Sequence, residues 1–203
     1  MKVTREQMAE HRRTILEEAS RLFRAKGFDS VTVAEVMQAA GLTHGGFYGH
    51  FKSKDELIAA TLAHTLVPNP APVDFAGFTK RYLSPRHRDD LAGGCPTAGL
   101  GPETIRQSPE ARAAMTEGLR TTIERLSGDA PGARAEARRR AAIGSWCAMV
   151  GAVVLARISD DPALSNEMLS ETRAWMEAKS DAEAATKEAG RGRSKSSRRA
   201  LRQ

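Results

Sequence analysis

Apolar residues recur every three or four positions along most of this chain, which is the spacing of an amphipathic helix. No stretch alternates apolar and polar residues in the manner of a strand, and no internal repeat is visible. The first stripe predicts a helix that ends near Gly27, and it consists of Ile15, Leu16, Ala19, Leu22 and Phe23. Later helices are predicted from Phe75 to Tyr82, from Cys95, from Ser108 to Leu126, from Arg134 to Ile158 and from Pro162 to about Lys179, with a loop over 83–94. The pattern predicts an all-α protein.

The most informative segment runs from Thr32 to Leu57, TVAEVMQAAGLTHGGFYGHFKSKDEL. Thr32 with Glu35 three positions later forms a capping box, which marks the beginning of a short helix. The helix has one apolar stripe, formed by Val33, Val36, Met37 and Ala40. Gly41 can adopt the left-handed conformation that ends a helix and turns the chain.

A second helix is expected to be capped by Thr43 and to run through Phe51. Ser53 with Glu56 forms another capping box, which opens a helix through about Thr65. Two short helices joined by a glycine turn have the spacing of a helix-turn-helix, whose second helix enters the major groove of DNA. The segment therefore predicts DNA binding.

This segment resembles the N-terminal domain of the tetracycline-repressor (TetR/AcrR) family of bacterial transcription regulators, from about Ile15 to Leu62. The most specific matches to the family pattern G-x-L-Y-x-H-F-x-S-K-x-x-L are Gly45, Phe47, Tyr48, His50, Phe51, Ser53, Lys54 and Leu57. Upstream matches are Phe23, Gly27, Phe28, Thr32, Val36, Ala40, Gly41 and Thr43. The resemblance implies an N-terminal three-helix, helix-turn-helix DNA-binding domain and a C-terminal helical domain for ligand binding and dimerisation.

The same resemblance implies that Thr43, Tyr48 and Lys54 contact DNA phosphates and that Thr32 lies near the DNA backbone. The physical chemistry agrees, because hydroxyl and ammonium groups at helix starts can reach phosphate oxygens. The alternatives are core packing for Tyr48 and capping alone for the two threonines.

Base edges would face His44, Gly45 and Gly46. His44 can donate or accept a hydrogen bond, and two glycines let the backbone approach closely. The Arg, Asn and Gln side chains that commonly read bases are absent at these positions. Phe47, in contrast, is expected in the core, as are His50 and Phe51.

The segment from Val67 to Pro72, VPNPAP, cannot be helical, because prolines break the hydrogen-bond ladder. It divides the chain into a DNA-binding domain at 1–66, a helical effector-binding and dimerisation domain at 67–186, and a basic tail at 187–203. The tail holds seven Lys or Arg and one Glu, which accounts for the whole net charge of +6. We expect the tail to be disordered, either as a solvated end or as an arm that attracts phosphates without sequence preference.

The apolar run from Ala141 to Ala156 interleaves small residues with large ones. Small residues at helical spacing allow a second helix to approach closely, and the family resemblance implies a homodimer through the last two long helices. A buried core helix is the simpler interpretation and is compatible with the first. A membrane anchor after Arg138, Arg139 and Arg140 is disfavoured, because the run is too short and is interrupted by Ser145.

An unknown small-molecule effector is implied by the resemblance, and the candidate pocket residues are Phe75, Phe78, Tyr82, Met115 and Trp146, all of which could equally be core. The run from Leu83 to Leu100, LSPRHRDDLAGGCPTAGL, resembles a segment in one branch of the family. Cys95 stands before Pro96 at a predicted helix start, where free amides favour the thiolate. It is either a sensor for an oxidant or electrophile or an inert capping residue. Cys147 is expected to be a packing residue inside an apolar helix.

Other classes of protein fit less well. Two cysteines and the absence of a visible signal peptide favour the reducing cytoplasm. An enzyme that pairs Cys95 with His87 lacks a recognised nucleophile motif, and the scattered histidines lack metal-ligand spacing, so we predict no catalytic activity, no metal and no cofactor. A DNA-packaging protein would explain the basic tail but not an apolar C-terminal domain. The sequence thus predicts a repressor that binds a palindromic operator as a homodimer and is released by an effector.

Overall fold

The computed structural model describes residues 4–66 and 74–179, and all regular secondary structure in these two ranges is helical. The prediction of an all-α protein is confirmed. The helices are α1 (Arg5–Lys26), α2 (Val33–Ala39), the 3₁₀-helix η1 (His44–Gly49), α3 (Lys54–Thr65), α4 (Phe75–Tyr82), α5 (Pro85–Asp89), α6 (Pro96–Thr104), α7 (Pro109–Ser127), α8 (Ala135–Ile158) and α9 (162–179).

The described residues form two compact units that are not contiguous in sequence. The first unit comprises residues 4–66 together with Arg86–Thr121, and the second comprises 74–85 and 122–179. A stretch from the middle of the chain therefore packs with the N-terminal helices. The proposed proline boundary at 67–72 and the basic tail at 187–203 lie outside the described residues.

The first unit is built around helix α1. Its predicted stripe from Ile15 to Phe23 is buried, and the helix ends at Gly27, which has a φ of +83°. Helices α2 and α3 pack against α1 around a core that contains Phe28, Val36, Met37, Phe47, Phe51, Leu57 and Leu62. Leu100 of α6 and Met115 of α7 join this core.

The second unit buries one face of α8 against α4 and its neighbours. The buried residues of α8 recur at three- and four-residue spacing: Ala142, Trp146, Met149, Ala152, Val153 and Ala156. Asp129 Oδ2 accepts a hydrogen bond from Phe75 N at 2.9 Å, which satisfies an amide at the start of α4. Ser165 Oγ of α9 donates to Ala156 O of α8 at 2.6 Å, so these two helices are joined by a buried polar contact.

Two sequence-based expectations outside the helix-turn-helix are wrong. The predicted loop at 83–94 contains the short helix α5, which begins at Pro85. Proline favours the first position of a helix because its ring fixes φ near the helical value. Cys147 is exposed and not a packing residue, because it lies on the face of α8 opposite the buried stripe. Within the described ranges, α8 has the length and apolar composition to cross a membrane, a property that core helices share, and 33% of that stretch is buried in the protein.

Candidate nucleic-acid interface

The turn between α2 and η1 follows the predicted geometry. Thr32 caps α2 by accepting a hydrogen bond from Glu35 N at 3.1 Å. Gly41 has a φ of +70°, and Leu42 N donates to Met37 O at 2.9 Å beyond the end of α2. The left-handed glycine satisfies a helix-terminal carbonyl while it turns the chain.

The second helix of the motif differs from the prediction. It is the 3₁₀-helix His44–Gly49, and Thr43 makes no side-chain capping bond. The expected helix through Phe51 capped by Thr43 is therefore wrong in these two respects. Gly45 and Gly46 give the physical reason, because glycine lowers helix propensity and leaves few side-chain contacts to stabilise a longer α-helix.

The aromatic residues of η1 divide between the core and the surface. Phe47 and Phe51 are each 1% exposed and stack at 5.6 Å between ring centroids. Tyr48, the next residue after Phe47, is 69% exposed. Core packing is thus excluded for Tyr48 within its unit, and its phenol is accessible to a ligand. The prediction that Phe47 and Phe51 are core residues is confirmed.

The remaining candidates lie on the same short stretch of chain or close to it. His44 is exposed, and its ring stands edge-on to Tyr48 at 6.3 Å. A Cβ atom at Gly45 would meet nothing within 4 Å, whereas one at Gly46 would contact Thr43 Oγ1 at 3.6 Å. Thr43 is itself exposed, so its hydroxyl is available for another partner. We define the candidate contact surface as Thr32, Thr43, His44, Gly45, Gly46, Tyr48 and Lys54.

Lys54 begins helix α3, whose capping box is present in a modified form. Ser53 Oγ accepts from Glu56 N at 3.1 Å, but Glu56 Oε2 accepts from Lys52 N instead of Ser53 N. Lys54 Nζ lies 3.5 Å from Asp29 O, a long hydrogen bond that leaves donor capacity on the ammonium group.

Arg12 supports this surface from α1, and sequence reasoning missed it. Its Nη1 donates to His50 O at 2.7 Å, and its guanidinium lies 4.2 Å from the centroid of the Phe51 ring. The sequence did contain a signal for it. Arg12 lies three, four and seven positions before Ile15, Leu16 and Ala19, and therefore on the apolar face of the helix. A charged residue on such a stripe needs a specific partner, and here η1 provides one.

His50 follows η1 and is only partly buried, so the prediction that it is a core residue is wrong. Its ring stands edge-on to that of His11 at 6.3 Å between centroids. Its pKa is lowered, first because burial disfavours the charged imidazolium and then because His11 and Arg12 place positive charge nearby.

Comparison with known proteins places these features in a family. Residues 15–61 match the family described as bacterial regulatory proteins, tetR family. These residues therefore form a tetR-family N-terminal domain. The chain is 41% identical over 59 residues to the transcriptional regulator TtgR of Pseudomonas putida, covering 29% of this chain and 28% of TtgR. The transcriptional repressor Rv1474c of Mycobacterium tuberculosis shows the same identity over 59 residues, covering 29% of this chain and 32% of the repressor.

These curated relatives are matched over about three tenths of their own length. The fold is shared more widely. The reduced form of NemR from E. coli superposes with a TM-score of 0.60 at 22% identity, covering 82% of this chain and 95% of NemR. The matched family and relatives are named as transcription regulators, which agrees with the prediction of a DNA-binding domain at residues 15–61.

The predicted ligand residues are divided between the two units. Phe78, Tyr82 and Trp146 cluster in the second unit, with Trp146 at 5.3 Å from Tyr82 and 6.4 Å from Phe78 between ring centroids. Met115, in contrast, belongs to the core of the first unit, where Thr97 Oγ1 lies 3.9 Å from its sulfur. Of the two interpretations left open for Met115, pocket or core, the structure supports the core.

Cys95 lies in the first unit, half-buried at the N-terminus of α6. The predicted helix start with Pro96 in its first turn is confirmed. His87 is close to Cys95, as an enzyme would require, but the contact is different. The backbone amide of Cys95 donates to His87 Nε2 at 3.1 Å.

Proposed function

We propose that this chain is a transcriptional repressor that binds a palindromic DNA operator as a homodimer in the cytoplasm. The observation that carries the proposal is the exposed Tyr48 beside the buried Phe47 on η1. A large phenol held outward on a rigid core is suited to an external partner, and the hydroxyls of Thr43 and Thr32 lie near it in sequence.

The direct test is selection of bound sites from random DNA, followed by footprinting of the purified protein. A regulator should protect a discrete inverted repeat, because each subunit of a two-fold dimer reads one half-site. A DNA-packaging protein, the alternative class, would coat any sequence equally. Protection without sequence preference would overturn the proposal and favour packaging.

Dimerisation through α8 and α9 is supported by an apolar face that the described residues of the second unit leave exposed. Leu155 is 54% exposed, Ile158 73% and Trp175 55%. A Cβ atom at Gly144 or Gly151 would meet nothing within 4 Å. Contiguous exposed apolar surface of this kind marks an interaction site, and small residues permit close approach of the partner's helix. The same homodimer would place two copies of η1 on one operator.

For the effector we propose two possibilities that one set of variants separates. A non-covalent ligand would bind beside the aromatic cluster of Phe78, Tyr82 and Trp146. Trp146 is 6% exposed, and no described residue accepts a hydrogen bond from its Nε1. A covalent effector, an oxidant or electrophile, would react with Cys95.

The variant Cys95→Ser should bind the operator but resist release by peroxide, hypochlorite or quinones if Cys95 is the sensor. Cys147→Ser is the matched control, because Cys147 is the more exposed thiol and reacts whether or not it signals. Equal release of wild type and Cys95→Ser would make Cys95 structural. A non-covalent ligand at the aromatic cluster would then be the effector to seek.

A further inference from the structure

Helix α6 contacts the C-terminal end of α1 at two points, both within the first unit. At the last turn of α6, a Glu103 carboxylate oxygen accepts a hydrogen bond from Phe28 N at 2.7 Å. Just before the first turn, Gly94 O accepts from Arg24 Nη1 at 2.9 Å. The two contacts hold α6 along α1 at either end of the shorter helix.

The carboxylate of Glu103 lies beside the C-terminal end of α1, where the helix dipole is unfavourable for a negative charge. The C-terminal end of a helix carries partial negative charge, so a carboxylate beside the end of α1 is repelled unless a specific donor holds it. Phe28 N is that donor. The close approach also requires Gly27, because a Cβ there would lie 2.6 Å from Glu103 Oε1, and its φ of +83° already disfavours other residues.

The amide that Glu103 holds controls where the helix-turn-helix begins. Phe28 is fully buried and packs edge-on to Phe23 at 5.2 Å, and the chain then turns to Thr32, the N-cap of α2. Lys54 Nζ contacts Asp29 O in the same turn. A shift of the Phe28 amide would therefore move both the start of α2 and the backbone atom beside Lys54.

We infer that Glu103 is a positioning residue for DNA binding: its carboxylate holds the turn between α1 and α2 and so sets the arrangement of the candidate contact surface. Glu103 lies far along the chain from this surface, and the family match at residues 15–61 does not include it. The inference rests on the proposed function, since its readout is operator affinity.

The test uses variants of Glu103 that change either the length of its side chain or its charge. Glu103→Gln retains the length and an oxygen acceptor, whereas Glu103→Asp retains the charge but is one methylene too short to reach Phe28 N. Operator affinity is measured below the unfolding temperature of each variant, which is determined separately. We expect about tenfold weaker binding for Glu103→Asp and Glu103→Ala, and a loss within about threefold for Glu103→Gln. Glu110→Ala, an exposed carboxylate on α7 of the same unit, is the matched control and should bind as wild type.

Wild-type affinity in Glu103→Asp would overturn the inference even if that variant unfolds at a lower temperature, because Glu103 would then be only structural. Equal losses in Glu103→Gln and Glu103→Asp would also overturn it, since the reach of the acceptor would not be the cause. If wild type and Glu110→Ala select no operator, the proposed function itself fails, which is a distinguishable result.

Discussion

At the scale of single residues, neighbours in sequence have opposite roles on η1. Phe47 anchors the helix in a core where replacement by Ala would remove about 3–5 kcal/mol of stability. Tyr48 contributes little to that core, because more than two thirds of its surface is exposed. Replacement of Tyr48 can therefore test DNA binding without unfolding the core.

Tyr48→Phe and Lys54→Ala should each weaken operator binding about five- to tenfold, because each removes a donor to phosphate. The Lys54 change should also reduce the slope of log affinity against log salt by about one. Titrations at several salt concentrations measure both effects. Lys80→Ala removes the same charge from an exposed position in the second unit and serves as the control. Unchanged affinity in both variants would contradict the assignment of this surface.

His44 should influence which sequence is bound more than how tightly DNA is bound. Its imidazole is exposed beside Tyr48 and is the one side chain among the three residues expected to face bases. Selection of sites from random DNA with His44→Ala should yield a changed consensus at one or two positions per half-site. Recovery of the wild-type consensus would assign specificity to DNA shape or to the backbone.

His50 is expected to make the protein less stable at acid pH. Its folded pKa lies below the ordinary value of 6.5, so the unfolded chain takes up a proton at a higher pH than the folded chain. Stability should therefore fall as the pH drops below about 6.5 and level off once the folded imidazole is protonated. Urea unfolding of His50→Gln across this range should show a flatter profile than wild type. His44→Gln, at an exposed ring, is the comparison, and identical profiles for wild type and His50→Gln would refute the effect.

At the scale of helices, α8 is apolar on two faces and uses only one of them within its unit. The buried face contains Trp146 and Met149, and the opposite face exposes Cys147, Leu155 and Ile158. An isolated helix that is hydrophobic all round requires a second partner. The described part of the chain provides α9 along one side, and a second subunit can cover the rest.

Leu155→Lys should convert the dimer to a monomer, because a charge would be buried in an apolar interface. Light scattering during gel filtration measures the change, and operator affinity should fall with it. Ile105→Lys makes a comparable change at a residue of the first unit that is 74% exposed, and it should remain dimeric. A dimeric Leu155→Lys protein would place the interface elsewhere.

At the scale of the whole molecule, the net charge and the proposed DNA-contact residues occupy different parts of the chain. Residues 1–186 carry no net charge, and the +6 belongs to 187–203. Under the proposed function, we expect sequence-specific binding to depend on a few groups of the candidate contact surface. We expect the tail to add attraction that does not depend on sequence.

Deletion of Gly190 to Gln203 should lower affinity for random DNA, most strongly at low salt, and leave the operator consensus unchanged. Competition between operator and random DNA at two salt concentrations measures the effect. Loss of dimerisation or of folding in the truncated protein would show that the tail has a structural role.

Local signals in the sequence determined the helices and their ends. Thr32 and Ser53 cap helices, and Gly41 turns the chain, because these functions depend on hydrogen bonds and backbone dihedral angles within a few residues. Tyr48 and Lys54 were identified as candidates because they match positions of the family pattern. The prediction that Thr43 caps an α-helix was wrong. A capping residue needs an α-helix after it, and the two glycines that follow Thr43 have low helix propensity.

Only the tertiary structure determined which elements meet. The sequence left Met115 as either a pocket or a core residue and showed that α8 is apolar. It did not show that Met115 joins the N-terminal core or that Cys147 lies on an exposed face. The bonds of Arg12 to η1 and of Glu103 to the turn after α1 join residues that are 38 and 75 positions apart. Such contacts depend on how whole helices pack, and helix periodicity contains no information about which partner a buried face will find.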